Sequence, residues 1–387
     1  MKICVLTSLF PSPPRPREGI FAQVRWSGMA ARGHRVHVLQ PVPHAPRPFA
    51  SGERADFRAM PTFEVVAGLE VYRPRYVHLP RWPRGNAERF ARTAVRGLKH
   101  FGSVDVVVMD YAWPAAVAAS GVRELGVPCV VNGRGSDVLQ VAGEAGLGDE
   151  LAAALRAAGN WTAVSADLVG RMDELAGEPG RGVLIPNGVD AERFAPGDRS
   201  AARAHLGLPA DGELVLAVGH LIPRKDPLLA LRAFALGAPS TARFVLLGRG
   251  PLAAEVLELA ATLGVADRVE LRGEVDPLDL SDWYRAADVL LLTSNREGRP
   301  NVVLEALASG LPVVATRAGG TAELLAGLPE CLVDEREPGA VAGALRAVLE
   351  HAPDRDRLRS AVHDLTWDAC LDRLERYLAD VIAAPRR

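Results

Sequence analysis

Cysteine, aromatic residues and long apolar runs are all scarce in this 387-residue chain. Its four cysteines are scattered and form no Cys-x-x-Cys pair, so neither a disulfide framework nor a zinc site of the usual spacing is expected. No run approaches the roughly 18 apolar residues that a membrane span needs. The apolar start at Lys2–Thr7 is too short for the core of a signal peptide. We therefore expect a cytoplasmic protein.

Acidic and basic residues nearly balance, with a net charge of −2, but the basic residues gather in one segment. Residues 47–100 contain eleven Lys and Arg against five Asp and Glu. Two interpretations stay open. The segment is either a solvated arginine-rich surface, or it is attracted to an anionic acceptor or to the inner membrane surface, helped by Tyr72, Tyr76 and Trp82. A peripheral membrane contact is therefore a hypothesis, and we expect no nucleic-acid partner.

Short apolar runs alternate with stretches of helical periodicity along the chain. Lys2–Thr7 and Arg35–Gln40 flank a helical pattern at 20–31, and this order of strand, helix and strand indicates a parallel sheet. The same alternation restarts at 213–218, after the turn-forming residues 194–198. The sequence therefore predicts an α/β chain with two doubly wound domains.

The predicted domains are residues 1–195 and residues 196–366, followed by a C-terminal helix within 367–387. In two Rossmann-like domains the carboxyl ends of the strands, where ligands bind, are expected to face a central cleft. The last helix has a one-sided apolar stripe and therefore needs a partner surface. Its apolar positions are Cys370, Leu371, Leu374, Tyr377, Leu378 and Ile382.

Two cations and two glycines follow the first strands of the second domain. Arg224 and Lys225 lie between a strand and a helix, where they could neutralise a diphosphate as its bond to a sugar breaks. Gly248 and Gly250 follow the next strand, and glycine lets the backbone approach a ligand closely. Ordinary surface charges and an ordinary strand-to-helix turn are the alternatives.

The segment Ser294–Glu305 has the most specific pattern. Pro300 suits the first position of a helix. The amides of Asn301, Val302 and Val303 would then be unpaired in the first turn, where the helix dipole favours a phosphate group. The sequence therefore predicts a phosphate site made of backbone amides.

Two carboxylates flank this predicted helix start. Glu305 lies about one turn inside the helix and could accept hydrogen bonds from the vicinal hydroxyls of a ribose. Glu297, followed by Gly298, lies before the helix, where it could hold the donor sugar. The alternative makes Glu297 a solvated loop acid and Glu305 a helix salt-bridge partner. Ala318–Glu323 opens the next helix and would close the far wall of the pocket.

These residues resemble the retaining family-4 glycosyltransferases of the GT-B fold, particularly the bacterial branch that makes teichuronic acid and exopolysaccharides. The resemblance extends over nearly the whole chain and is most specific in the Glu-x7-Glu spacing of Glu297 and Glu305. It implies that Glu297 approaches the donor sugar, that Glu305 holds the nucleotide ribose, and that Lys225 contacts the donor diphosphate. Ile185–Asp190 resembles the segment before the interdomain linker. Gly19 matches the glycine loop over the donor phosphates, and the final helix resembles one that crosses back onto the first domain.

Two positions depart from the family pattern. His220 stands where the family often has Arg, so Arg224 and Lys225 are left as the cations for the diphosphate, and His220 stays a donor-binding candidate. The common His-Gly-x-Asp motif appears with Arg134 and Asp137 at its ends. Because Arg stays protonated, it cannot act as a neutral base. We therefore assign Arg134 and Asp137 to binding of the donor sugar or the acceptor.

The resemblance implies a metal-independent, retaining transferase that uses a UDP- or GDP-linked sugar and no other cofactor. The expected acceptor is a lipid-linked saccharide or a polysaccharide precursor, with a small-molecule natural product as the alternative. Two other classes stay open. A nucleotide-sugar epimerase would lack the Glu-x7-Glu helix, whereas a non-catalytic sugar-nucleotide-binding protein would be consistent with His220 and Arg134.

Overall fold

The computed structural model describes residues 1–44 and 52–385, and the chain divides into two compact units. The first unit combines Met1–Asn187 with Trp367–Arg387, and the second is Gly188–Thr366. Arg47, one of the basic residues counted above, lies outside the described residues. Within the described ranges, no helix is both long and apolar enough to span a membrane.

The first unit is built on a mainly parallel sheet. Its strand order is β10-β9-β8-β7-β1-β2-β5-β4, in which only β4 and β5 pair antiparallel, and β3 pairs separately with β6. Central strands such as β1 and β7 are apolar and buried almost throughout, as expected where helices cover both faces of a sheet. The strands are β1 (Lys2–Leu6), β2 (Arg35–Leu39), β3 (Val42–Pro43), β4 (Phe63–Val66), β5 (Leu69–Tyr72), β6 (Arg75–Tyr76), β7 (Val106–Asp110), β8 (Cys129–Gly133), β9 (Trp161–Ala163) and β10 (Val183–Leu184).

Helices connect these strands as parallel pairing requires. The longest, Pro83–Leu98, buries one face on the sheet and exposes the other. The helices of this part are α1 (Ile20–Ala31), α2 (Glu53–Ala59), α3 (Pro83–Leu98), α4 (Ala112–Ala115), α5 (Ala119–Glu124), α6 (Ser136–Leu139), α7 (Leu147–Ala158) and α8 (Ala166–Ala176).

The second unit has a fully parallel sheet in the order β13-β12-β11-β14-β15-β16. This is the doubly wound Rossmann order, which reverses direction beside its first strand. The strands are β11 (Leu214–Val218), β12 (Arg243–Leu247), β13 (Val269–Gly273), β14 (Val289–Leu292), β15 (Val313–Thr316) and β16 (Leu332–Val333). The helices are α9 (Arg199–Leu206), α10 (Pro227–Gly237), α11 (Ala253–Thr262), α12 (Leu280–Ala286), α13 (Asn301–Ala308), α14 (Gly320–Leu324), α15 (Pro338–Glu350) and α16 (Arg355–Ser360).

The division between the units corrects the predicted boundary after residue 195. Residues 188–195 pack with the second unit, because Phe194 is buried against the ring of Tyr284 at 5.8 Å. Arg285 donates hydrogen bonds to the carbonyls of Arg193 and Ala195. The turn-forming residues 194–198 therefore lie inside the second unit rather than at its border.

The last helix, α17 (Trp367–Ala383), belongs to the first unit. It packs beside α1, where the absence of a side chain on Gly28 makes room for Leu371. Leu374 and Leu378 are also buried in the same apolar cluster. The partner surface that the apolar stripe requires is therefore supplied by the first unit.

This packing predicts that Leu374→Ala destabilises the first unit by about 2–4 kcal/mol, because a buried leucine leaves both lost apolar burial and a cavity. Urea denaturation followed by circular dichroism measures the change. Arg373→Ala, on the exposed side of the same helix, is the control and should stay within about 0.5 kcal/mol of the wild type. Equal stability of the two variants would contradict the packing.

Candidate active site

Three loops leave the carboxyl ends of adjacent strands in the second unit. They follow β11, β14 and β15, which are neighbours in the sheet, and this edge is where open α/β sheets bind ligands. The loops are Gly219–Asp226 after β11, Thr293–Pro300 after β14 and Arg317–Gly319 after β15. The predicted catalytic residues lie on the first two.

The structure brings the three predicted catalytic side chains together. The Lys225 ammonium lies 2.5 Å from one carboxylate oxygen of Glu297, and Arg224 lies 3.2 Å from the other. Glu297 is only 6% exposed, whereas both cations remain partly accessible. A buried carboxylate therefore holds two cations at the edge of the sheet, with part of each cation open to solvent.

The charge state of Glu297 follows from these contacts. Burial alone would raise its pKa, but the charge and hydrogen bond of Lys225 and the charge of Arg224 lower the pKa below its ordinary value. Glu297 is therefore ionised at neutral pH. Removing either partner of such a buried pair leaves an uncompensated charge, which is strongly unfavourable.

The start of α13 differs from the prediction at two residues. Pro300 is the extended N-cap residue, with ψ at 112°, and the helix begins at Asn301. The carbonyl of Pro300 accepts the amide of Val303 at 3.1 Å, and Val303 is fully buried. The prediction of an unpaired Val303 amide is therefore wrong. Asn301 and Val302 remain in the first turn, at the positive end of the helix dipole.

Glu305 lies on α13 with a partner that the sequence did not predict. The hydroxyl of buried Tyr284 donates to Glu305 Oε2 at 2.8 Å. Burial raises the pKa of Glu305 to about 7. One carboxylate oxygen is thus held by the protein, and the group changes charge near neutral pH. Tyr284 lies on α12, separated in sequence from every motif, so no local pattern could have identified it.

The loop after β15 contacts the loop that contains Glu297. Gly320 donates its amide to the carbonyl of Gly298 at 3.1 Å. Arg299, whose side chain is 6% exposed, lies 3.5 Å from Glu323. The predicted wall at Ala318–Glu323 therefore lies beside the Glu297 loop, and Arg299 is a buried cation that the sequence analysis did not identify.

Three of the predicted glycines lie so close to neighbouring backbone that a larger residue would not fit. A Cβ atom on Gly248 would lie 2.0 Å from the carbonyl oxygen of Gly219, and one on Gly250 would lie 2.2 Å from that of Leu221. On Gly19, with φ at 73°, it would lie 2.6 Å from the carbonyl oxygen of Leu9. Close packing therefore explains glycine at these three positions, and their contacts with the donor stay predictions.

Arg134 and Asp137 lie within a buried network of the first unit. Arg134 donates to both carboxylate oxygens of Asp110, at 2.7 Å each, and to Asn187 Oδ1 at 2.5 Å. Asp137 accepts backbone amides from residues 112, 134 and 135. The predicted sugar or acceptor contacts would require these groups to leave their protein partners. The geometry therefore gives both residues a structural role.

A second buried arginine reinforces this network. Arg25 donates to Asn187 Oδ1 and to the carbonyls of Ile185 and Pro186, which belong to the segment that resembles the family signature. Burial followed by repulsion from Arg134 lowers the pKa of Arg25 to about 9. Burial would raise the pKa of Asp110, but Arg134 and the hydrogen bonds lower it to about 2. A buried cluster of ionised side chains therefore fixes the backbone at residues 185–187 of the first unit.

His220 is the remaining residue predicted to bind the donor. It is exposed in the loop after β11, so it is accessible to a ligand but is not positioned by burial. Among the residues that the structure describes, no group of three or more His, Cys, Asp or Glu side chains has a geometry that could hold a metal ion.

The fold is that of the GT-B glycosyltransferases, with two Rossmann-like domains. Sucrose-phosphate synthase from Thermosynechococcus elongatus has a similar structure, with a TM-score of 0.81 and 21% sequence identity, and the match covers 100% of both chains. HepE from Anabaena, solved in complex with UDP, matches with a TM-score of 0.76 and 20% identity, over 98% of this chain and 100% of HepE.

Sequence comparison identifies the family. Residues 27–193 match the model described as Glycosyltransferase Family 4, and residues 212–351 match the model described as Glycosyl transferases group 1. D-inositol 3-phosphate glycosyltransferase 1 of Catenulispora acidiphila is 30% identical over 82% of both chains. The putative teichuronic acid biosynthesis glycosyltransferase TuaC of Bacillus subtilis is 29% identical over 89% of this chain and 88% of TuaC. The chain belongs to glycosyltransferase family 4.

Not every relative is matched over its full length. Three other D-inositol 3-phosphate glycosyltransferases are 38% to 42% identical, but the matches span only 42% to 57% of their own length. The matches therefore assign the family, while the substrates require separate argument.

The raised pKa of Glu305 predicts that Glu305→Gln stabilises the protein at pH 8 by up to about 3 kcal/mol. A carboxyl group whose pKa is raised to about 7 in the folded state contributes stability below its unfolded pKa, and this contribution is lost as the pH rises through 7. A glutamine at this position is neutral at every pH, so its contribution to stability is not lost as the pH rises. It can still accept the hydrogen bond from the Tyr284 hydroxyl.

Urea titrations of wild type and variant from pH 4 to pH 8 test this pH-linked prediction. The stability difference should be near zero at the acidic end and should grow with pH. Glu258→Gln, on the exposed side of α11, is the matched control and should give no growing difference. A Glu305→Gln variant that is less stable than the wild type at pH 8 would rule out the raised pKa.

Proposed function

We propose that this protein transfers a sugar from a nucleoside-diphosphate sugar to an acceptor hydroxyl with retention of anomeric configuration. The observation that carries the proposal is the meeting of Lys225, Arg224 and Glu297 at the carboxyl edge of the second sheet. The Glu-x7-Glu spacing to Glu305 supports the same conclusion. A UDP-linked donor is favoured, since HepE was solved with UDP and with UDP-glucose, and a GDP-linked donor is the alternative.

Each residue of this cluster has a distinct role in the proposal. Lys225 and Arg224 bind the donor diphosphate, which competes with Glu297 for the two cations. The first-turn amides of α13 add a neutral phosphate contact. Glu305 accepts the ribose hydroxyls through the oxygen that Tyr284 does not hold, and Glu297 binds hydroxyls of the sugar.

The chemical step needs no dedicated base. The bond between the anomeric carbon and the diphosphate oxygen breaks, and the acceptor oxygen bonds to the same face of that carbon. The acceptor proton passes to the departing phosphate oxygen, so the products are the glycoside and the nucleoside diphosphate. Lys225 and Arg224 stabilise the negative charge that develops on the leaving group, and such preorganised charge often contributes more to catalysis than any other single effect.

We propose that no metal ion and no further cofactor takes part. The diphosphate carries its charge into a site that already presents two side-chain cations and a helix N-terminus. These groups supply the positive charge that a divalent cation would otherwise provide.

Two acceptor classes fit the relatives. A lipid-linked saccharide or polysaccharide precursor agrees with the name of TuaC, a teichuronic acid biosynthesis glycosyltransferase. A small-molecule acceptor is the second candidate, because several relatives are named for D-inositol 3-phosphate. A non-catalytic sugar-nucleotide-binding protein is the competing class, and turnover of a donor separates it from both.

A basic and apolar surface in the first unit supports a lipid-linked acceptor. Val77 and Trp82 are 58% and 49% exposed, although both are apolar. Just after them, Arg92 and Arg96 lie four residues apart on the exposed side of α3, which places them on one face, with Glu88 4.0 Å from Arg92. Apolar side chains beside arginines are the combination that binds an anionic membrane surface. We propose a peripheral contact at the cytoplasmic face of the membrane.

The donor assignment predicts that Lys225→Met lowers kcat for transfer or hydrolysis of the donor by about 100-fold or more, because a leaving-group cation is lost. Glu297→Gln should lower it by at least about tenfold. Release of nucleoside diphosphate from UDP- and GDP-sugars, with and without a chelator, measures both effects, and the chelator should change nothing.

Arg346→Gln is the control for this assay, since Arg346 is exposed on α15 and donates only to the carbonyl of Leu236 among the contacts described. It should keep wild-type activity. Full activity in Lys225→Met and Glu297→Gln would contradict the site, and absence of turnover with every donor would favour the non-catalytic class.

The membrane assignment predicts that the wild type floats with vesicles containing phosphatidylglycerol but not with phosphatidylcholine vesicles, because the attraction is electrostatic. The double variant Arg92→Ser/Arg96→Ser and the single variant Trp82→Ser should each lose most of this binding. Arg171→Ser/Arg376→Ser, which removes two other exposed arginines of the first unit, should not. Equal flotation of all the variants would exclude this surface as the membrane contact.

A further inference from the structure

Arg336 contacts two of the loops that form the candidate site. It lies between β16 and α15, outside every motif predicted from the sequence. Its Nη2 donates to Asp226 Oδ2 at 2.6 Å and to the carbonyl oxygen of Thr293 at 3.3 Å. Asp226 directly follows Lys225, and Thr293 opens the loop that leads to Glu297. One guanidinium group therefore joins the loop after β11 to the loop after β14.

The two loops are also bonded directly to each other on both sides of Lys225. Thr293 Oγ1 lies 2.8 Å from the carbonyl oxygen of Asp226 and 3.3 Å from that of Lys225, and donates to them. The amide of Asn295 donates to the carbonyl of Arg224 at 2.9 Å. The backbone that carries the two cations is thus fixed by the loop that carries their carboxylate partner.

Asp226 holds an unfavourable backbone conformation. Its φ is 48° and its ψ is 59°, in the left-handed region, which residues other than glycine adopt at an energetic cost, although Asp and Asn tolerate it best. Its Oδ1 caps α10 by accepting the amide of Leu229 at 3.2 Å, which offsets part of that cost. The other oxygen, Oδ2, accepts from Arg336. One carboxylate oxygen of Asp226 therefore caps α10, and the other binds Arg336.

We propose that Arg336 is a positioning residue, which holds Lys225 at Glu297 by acting through Asp226 and Thr293. The inference rests on the proposed function, because Lys225 matters to catalysis only if it binds the donor diphosphate. A charge-assisted hydrogen bond orders a loop more strongly than a neutral one. Displacement of a catalytic group by about 1 Å can lower the rate by up to about 100-fold. Arg336 itself does not contact the substrate in this role.

Two substitutions isolate this contact. Arg336→Met removes the guanidinium and keeps much of its apolar stem. Asp226→Asn keeps a good helix cap and a residue type that tolerates the left-handed region, but it removes the charge that Arg336 binds. Each should lower kcat for the donor about tenfold with a smaller change in KM and a melting temperature near that of the wild type.

The double variant and a conservative variant distinguish positioning from general stability. Because both single variants break the same contact, Arg336→Met/Asp226→Asn should be no slower than either one. Arg336→Lys should recover part of kcat, since it keeps the charge but not the planar geometry. Arg346→Gln, on the exposed side of α15, is the control and should have wild-type kinetics.

Hydrogen exchange of the ligand-free protein gives a readout that does not depend on substrate. Amides of residues 219–226 should exchange faster in Arg336→Met than in the wild type, while those of α11 should be unchanged. Wild-type exchange in this segment, an active Arg336→Met with wild-type kcat, or additive losses in the double variant would overturn the inference. If the wild type turns over no nucleotide sugar, the proposed function fails and the exchange rates alone decide the positioning role.

Discussion

The ion pair between Lys225 and Glu297 is the interaction on which the candidate site depends. It joins side chains from two loops that are far apart in sequence, at a separation of 2.5 Å and with the carboxylate almost fully buried. Such a pair is costly to desolvate and contributes little net stability. Its value is that it keeps a cation in a fixed, partly accessible position, where an incoming diphosphate can compete for it. The hydrogen bonds around Asp226 and Thr293 maintain that position.

The first unit uses buried charge in a different way. Arg25 and Arg134 converge on Asn187 at the end of this unit, while Asp110 supplies the compensating carboxylate. Their hydrogen bonds are directed at protein groups, so this cluster fixes the backbone rather than presenting charge to a ligand. The residues that resemble the family signature at 185–187 are therefore explained in part by local structure.

The sequence predicted β1, β2, β11 and the Glu297 motif because these features leave local signals. Buried parallel strands such as β1 are nearly uninterrupted apolar runs, and the Glu-x7-Glu spacing lies within one loop and helix. The hairpin of β4 and β5 was not predicted. Its apolar residues Phe63 and Val65 are exposed, so the segment does not have the apolar pattern of a buried strand. Tyr284, Arg25 and Arg336 could not be identified either, because their contacts join elements distant in sequence. The prediction placed Pro300 at the first helical position, whereas Pro300 is the N-cap residue. Its carbonyl accepts a hydrogen bond from an amide of the first turn.

The claim that Lys225 binds the donor diphosphate is tested most directly by isothermal titration with matched nucleotides. A terminal phosphate bound by a cation should make UDP bind at least about tenfold more tightly than UMP, or GDP more tightly than GMP if the base is guanine. In Lys225→Met this preference should fall by at least about fivefold, with the remainder due to Arg224, while the affinity for the monophosphate is kept. Equal affinities for the two nucleotides in the wild type, or an unchanged preference in Lys225→Met, would contradict the proposed role of Lys225.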